Sequence, residues 1–300
     1  MPLRVAILYT GQIRTIEKTS PWLRKNVLNT TQADMFAIIE PTDRLVDEPI
    51  IERLTETYWR DNLRSFSWFD KMEYTNLQDE LLVEMNLPQY WSQYLKTSGS
   101  MIEYYQLYIG FQQLCIYELE HGFKYDYIMR IRTDVIITSP IDLSGFTNNP
   151  INILENHYYS CTSIEQYMNS LLSLDRMLSP RILDQTPNKT LLSVGSIYEQ
   201  FRRDFLITIR KNVFYIGTRS AFDDISLLGI NYGRWRSNRD HWFDAESQLH
   251  ALCEQNGIDV FDSTTELEDK SLYEYDSQHY FEENGEIIPT FDVFCFICRN

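Results

Sequence analysis

The chain is short of positive charge. Its 300 residues carry 27 Lys and Arg against 43 Asp and Glu, for a net charge of -16 and an isoelectric point near 4.7. Phosphate backbones are held by basic surface, so this balance excludes nucleic acid as a partner and disfavours electrostatic docking on anionic lipid. A phosphate-bearing ligand would need a local cationic pocket or a metal. Long hydrophobic runs are also missing: none spans a bilayer, and Leu3–Tyr9 is too short for a secretory signal. The five cysteines form no framework. Cys295 and Cys298 lie in a strand-like run where positions three apart face opposite ways, so neither a disulfide nor a shared metal is expected. Free thiols suit a reducing compartment, and a soluble cytoplasmic protein is expected. There is no Gly-rich phosphate loop, internal repeat or low-complexity linker.

What is present favours one packed domain. The hydrophobic fraction is 43%, ample for a core. Aromatic residues make up 14%, with 20 tyrosines. Their rings pack cores, and they also stack on sugars and bases. The chain begins β-loop-α-β: a buried strand at Leu3–Tyr9, a loop Thr10-Gly11-Gln12-Ile13-Arg14-Thr15, a helix opening at Ser20-Pro21, and a strand at Ala33–Ile39. This is the usual start of a nucleotide-binding α/β fold. Gly11 after the first strand permits close approach of backbone to a ligand, with Arg14 in reach.

The central stretch is Tyr125–Ile137, rich in β-branched and aromatic residues and predicted to be one strand. Period-two alternation places Arg130, Arg132 and Asp134 on one face near its carboxyl end. Ligands of open α/β sheets sit outside those ends, so the trio reads as a site for an anion such as a diphosphate. It reads equally as an internal Arg–Asp pair at a sheet edge. Before it runs a helix from Ser98 or Ser100 to His121, with apolar residues at helical spacing and Gln106 and Gln113 off the main stripe.

Residues 45–97 are less regular, with short helical pieces at Ile50–Tyr58 and Leu77–Met85 around a strand at Arg64–Trp68, and are expected to form an insertion or lid-like subregion. Further on, Ile151–Leu154 reads as a strand, Ser163–Met177 and Ser196–Arg210 as helices, and Val213–Gly217 as a strand. A helix from Arg219 carries Asp223 and Asp224. Asn231–His241 is a loop dense in Tyr, Trp and Arg. Asp244 caps a helix with Glu246 in its first turn, and short strands follow at Asp259–Asp262 and Phe291–Ile297.

Three pieces carry a resemblance: Ile7-Leu-Tyr-Thr-Gly-Gln-Ile-Arg-Thr with Ala33-Asp-Met-Phe; Tyr125-Asp-Tyr-Ile-Met-Arg-Ile-Arg-Thr-Asp with Pro140-Ile-Asp-Leu; and Phe214-Tyr-Ile-Gly with Trp242-Phe-Asp-Ala-Glu-Ser-Gln-Leu. With them the chain resembles nucleotide-sugar glycosyltransferases of the GT-A fold, the family found in bacterial and large-virus glycan clusters. The resemblance implies a Rossmann-like, mixed but mostly parallel sheet flanked by helices, forming one domain over 1–300. Residues 1–140 would be the donor half and 141–300 the acceptor half and tail, in host cytoplasm if the source is viral.

It further implies transfer of a sugar from a nucleotide diphosphate, UDP favoured and GDP possible, to a hydroxyl of a glycan. The family's Asp-x-Asp metal motif corresponds here to Arg132-Thr133-Asp134, its first carboxylate replaced by arginine. Asp134 would then hold Mn²⁺ or Mg²⁺ with diphosphate and water, or Arg130 and Arg132 would neutralise the diphosphate directly. The expected donor residues are Thr10, Gly11, Gln12, Arg14, Gln106, Arg130, Arg132 and Asp134. Glu246 is the expected base, with Asp244 and Asp224 behind it. Tyr232, Trp235 and His241 would meet the acceptor, and His241 or His250 would complete a metal shell. The competing functions are a catalytically inactive carbohydrate- or nucleotide-sugar-binding protein, and a phosphatase of the haloacid dehalogenase type. The latter needs an Asp where Ile136 stands.

Overall fold

The structure is a computed structural model that describes residues 3–143, 204–210, 213–230, 245–262, 280–283, 286–289 and 295–298. Among the described residues its frame is a seven-stranded sheet of β1 (Val5–Gln12), β2 (Asp34–Glu40), β3 (Leu63–Trp68), β4 (Tyr127–Arg132), β6 (Phe205–Arg210), β7 (Phe214–Thr218) and β8 (Asp259–Asp262). Their order across the sheet is β3-β2-β1-β4-β7-β6-β8. All neighbours are parallel except where β7 runs against β4 and β6. The expected mixed, mostly parallel α/β sheet is therefore what forms. Small two-stranded pairs join β5 (Val135–Ile137) to β11 (Cys295–Ile297), and β9 (Tyr280–Glu283) to β10 (Glu286–Pro289).

Strand β1 is buried on both faces, which is why its sequence is an apolar run rather than an alternation. Val5, Ile7 and Tyr9 enter one core layer; Ala6 and Leu8 enter the other. The first layer is covered by helix α1 (Ile16–Leu23) and helix α2 (Arg44–Leu54). The second is covered by α3 (Lys71–Met85), α4 (Gln89–Thr97), α5 (Ser100–His121), α6 (Ala221–Ile225) and α7 (Ala245–Asn256). Asp70 caps α3 by accepting from the amides of Met72 and Glu73. The left-handed Gly122 ends α5 as expected.

Four sequence expectations are corrected. The first helix opens at Ile16, so Pro21 is interior. Its ring removes an amide donor, the Ser20 hydroxyl donates to Ile16 O at 2.6 Å rather than capping, and the chain widens into a π turn at Arg24–Leu28. Residues 45–97 are not one insertion: β3 pairs with β2 in the main sheet, and only α3 and α4 stand outside the β-α alternation. The stretch Tyr125–Ile137 is two strands. Thr133 breaks it, because its amide donates to Thr10 O at 3.1 Å and its hydroxyl to Gln12 O at 2.6 Å, turning the chain onto β1. Finally, Phe205–Arg210 is a strand rather than a helix end; Phe205 and Ile207 enter one core layer and Leu206 the other. The elements expected at Ile151–Leu154 and Ser163–Met177, the Ser196–Arg203 part of the next helix, and the loop Asn231–His241 lie outside the described residues.

The edge of the sheet away from the strand carboxyl ends is fastened by a buried cluster. Arg219 donates from Nε and Nη2 to Glu118 at 2.9 and 2.8 Å, and from Nη1 to Asp223 at 2.7 Å. Glu118 also accepts from the Tyr125 amide at 2.9 Å. Burial works against the Arg219 charge, but the bonds to Glu118 and Asp223 outweigh it and hold its pKa above the ordinary value.

Candidate functional site

From β1 the chain runs outward through β2 to β3 on one side, while β4 lies on the other. The connections therefore part between β1 and β4, and a crevice opens outside their carboxyl ends. There lies a cavity of about 370 Å³, within the range of small-ligand sites. One wall is made by the strand ends, with Gly11, Gln12, Arg14 and Glu40. A second is β4 and its turn, with Arg130, Arg132, Thr133 and Asp134. The third comes from the helices, with Lys71, Lys96–Gly99, Ile102, Glu103 and Gln106. Among the described residues five cationic side chains meet three carboxylates there, a local excess of positive charge on a chain of net charge -16.

Both arginines of β4 are fixed by carboxylates. Arg130 is 1% exposed. It pairs with Glu103 of α5 at 2.7 Å, donates from Nη1 to Val213 O at 3.1 Å, and lies 6.0 Å from the centre of the Tyr215 ring. Arg132 donates from Nε to Asp134 Oδ1 at 2.9 Å and from Nη2 to Oδ2 at 2.6 Å, a two-pronged grip across one residue. Lys71 faces Glu40 at 3.4 Å, and Lys96 pairs with Asp79 at 2.6 Å.

Gly11 is the point where β1 touches the β4 turn. Its φ is +144°, and a Cβ there would meet Thr133 Oγ1 at 2.5 Å. The glycine thus admits Thr133, where the sequence suggested it would admit a ligand. Below the turn, the Thr19 hydroxyl donates to Thr133 O at 2.6 Å. Burial pushes the nearby Tyr9 phenol up in pKa, and Asp134 pushes it further, so Tyr9 stays protonated.

Of the expected donor residues, Gly11, Gln12, Arg14, Gln106, Arg130, Arg132 and Asp134 line this one cavity. Thr10 does not line it. It is fully buried in β1, and its hydroxyl has no hydrogen-bond partner among the described residues. Asp224 lies in α6, which follows β7 from the edge opposite the cavity, and it does not line the cavity. Its charge is felt instead at the buried Cys253. His250 lines a different cavity of about 420 Å³ with Glu254 and Asp259, so it is not brought to Asp134. The main chain of Glu246 is in the first turn of α7. That turn is tied to α5 by the Tyr104 hydroxyl, which donates to Ala245 O at 2.7 Å. Asp244, Tyr232, Trp235 and His241 lie outside the described residues. Ile136 is fully buried in a small apolar cluster with Phe296, which leaves no second carboxylate of the haloacid dehalogenase kind there.

Sequence reasoning missed Glu40, Lys71, Lys96 and Glu103. Glu40 and Glu103 carried a usable signal: one ends the second parallel strand, the other sits in the first turn of the helix leading into β4. Lys71 and Lys96 carried none, because α3 and α4 fold over the cavity through tertiary packing alone.

No group of three His, Cys, Asp or Glu poised for a metal occurs among the described residues, and both Asp134 oxygens accept from Arg132. Nor is any helix among them long and apolar enough to cross a membrane.

No family model and no curated protein matches the chain. A solved structure it is similar to is the apo form of mouse xyloside xylosyltransferase 1, at 10% identity and a TM-score of 0.33, covering 91% of this chain and 92% of that one. At that identity and score the likeness fixes neither a family nor an activity.

Proposed function

We propose that the chain is a glycosyltransferase that holds a nucleotide-diphosphate sugar in the cavity between β1 and β4 and passes the sugar to a glycan hydroxyl. UDP is the favoured nucleotide and GDP the second. One observation carries this reading: an acidic protein gathers Arg14, Lys71, Lys96, Arg130 and Arg132 at the carboxyl ends of its central parallel strands. In sugar transfer the leaving diphosphate gains charge, and cations aimed at it stabilise the transition state. If transfer inverts the sugar, the acceptor hydroxyl needs a carboxylate base. Glu40, Glu103 and Asp134 each face a cation, so the base is sought at the start of α7. Glu246 is the first candidate and Asp244 the second.

The same pairing of cavity carboxylates favours a second reading, a nucleotide-sugar-binding protein without turnover. Calorimetry with UDP, GDP and their sugars, alongside an assay for nucleotide release, separates the two. The transferase reading expects binding together with slow release of UDP or GDP. Binding without release at any acceptor concentration favours the second reading, and no binding of either nucleotide overturns both. Glu246→Gln is expected to keep donor affinity and lose most turnover; wild-type turnover would move the role to Asp244.

A further inference from the structure

We infer that the diphosphate subsite is built from guanidinium groups, with Asp134 a positioning residue for Arg132 and not a metal ligand. This rests on the donor reading above and adds how the charge of that donor is met.

The geometry of the β4 turn is the starting point. Residues 132 and 134 of a continuous strand would share a face but stand well apart along it. Here Thr133 bends the chain onto β1, and the bend folds the Asp134 carboxylate back against its neighbour. The guanidinium edge of Nε and Nη2 meets both carboxylate oxygens at 2.9 and 2.6 Å. That is the planar, two-bond match for which arginine is suited and lysine is not. Asp134 is itself nearly buried and its turn is pinned at two points, so the grip fixes where the Arg132 guanidinium stands.

Arg130, two residues earlier on the same face, is fixed in the same manner by Glu103 from another element. Each arginine thus has its own carboxylate orienter, and both line the cavity. A divalent cation bound at Asp134 would compete with Arg132 for the carboxylate. It would then face two guanidiniums of like charge in a partly desolvated site. A diphosphate faces the opposite situation: its oxygens meet donors already held in place, so little ordering is left to binding.

The test uses the intact chain and three probes, pyrophosphate, UDP and GDP, each titrated calorimetrically in EDTA and again in excess Mn²⁺. The expected result is binding of all three in EDTA, with affinities changed less than about threefold by Mn²⁺. Arg132→Gln should weaken pyrophosphate about tenfold, or about 1.4 kcal/mol. Asp134→Asn should weaken it by a similar factor, and the double variant should lose no more than Arg132→Gln alone, as for residues acting as one unit. Thermal melting of the unliganded variants checks folding, and Arg132→Lys supplies a second folded probe that keeps the charge but lacks the fork. UDP or GDP binding that appears only with Mn²⁺ overturns this inference and leaves the donor reading standing. Pyrophosphate binding in EDTA without UDP or GDP binding upholds the guanidinium subsite and overturns the donor reading. Losses that add in the double variant, an unchanged affinity in Arg132→Gln, or no binding of any probe overturn the inference.

Discussion

A Cβ on Gly11 would sit 2.5 Å from the Thr133 hydroxyl oxygen, so the first strand and the turn after the fourth are in contact with no room for a side chain. Gly11→Ala must either push Thr133 away or relax a φ of +144°. The variant should lose about 2 kcal/mol of stability and bind pyrophosphate more weakly, since the displaced turn carries Asp134. Thr133→Ala, which removes the hydroxyl bond to Gln12 O but keeps the amide bond to Thr10 O and forces nothing apart, should lose less stability. Urea midpoints of the two variants check the order.

Glu118 offers a separation of stability from function. It is buried, grips Arg219 and holds the Tyr125 amide at the sheet edge opposite the cavity. Glu118→Gln leaves a buried guanidinium short of its charge partner, at a cost of about 3 kcal/mol. Pyrophosphate affinity, measured well below the lowered melting temperature, should stay at the wild-type value. A parallel loss of affinity would mean the two ends of the sheet are coupled.

Stability should fall in alkali. Burial, with a smaller push from Asp224, raises the Cys253 thiol from 9.0 to about 12. Burial likewise raises the phenols of Tyr9, Tyr125 and Tyr215 above 10.0. The folded chain keeps protons that the unfolded chain releases above about pH 9, so unfolding gains and stability declines as pH rises. Near pH 10.5 the thiol alone accounts for a loss on the order of 2 kcal/mol. Urea midpoints from neutral pH to that value should decrease, and Cys253 should resist thiol reagents in the folded chain at neutral pH.

Tyr104→Phe removes the hydroxyl that tethers the start of α7. The stability cost should be modest, about 1 kcal/mol. If Glu246 acts from that helix, turnover should fall more than donor affinity does. Equal losses in both, or none, would detach α7 from the chemistry.

What the sequence alone reveals of this fold depends on whether a feature is local. Period-two alternation put Arg130 and Arg132 on one face of β4, and both line the cavity because alternation is a property of the strand itself. Asp134 joins them for a reason alternation does not contain: the strand stops, and a turn swings the carboxylate back. Nothing in Arg-Thr-Asp announces that stop, since it comes from Thr133 bonding to β1, residues remote in sequence. Of the helix expected over residues 196–210, the last six residues form a strand for a related reason. Phe205–Arg210 joins β7 and β8, and an apolar run of that length takes its form from such partners. Lys71 and Lys96 reach the site only through the packing of two helices that the sequence suggested were peripheral.

Strand order also governs what happens while the chain is being made. Every described residue lining the cavity precedes Val135, whereas the strand that closes the far edge of β4 begins at Phe214. At common synthesis rates the ribosome takes roughly 4–16 s to bridge that gap. Through that interval β4 lacks β7, its antiparallel partner in the finished sheet, and Arg130 lacks the Val213 carbonyl it will later bond. The nascent chain therefore carries a sticky, half-finished sheet for seconds, and factors that shield strand edges during translation should raise the yield of folded protein more than factors acting after release.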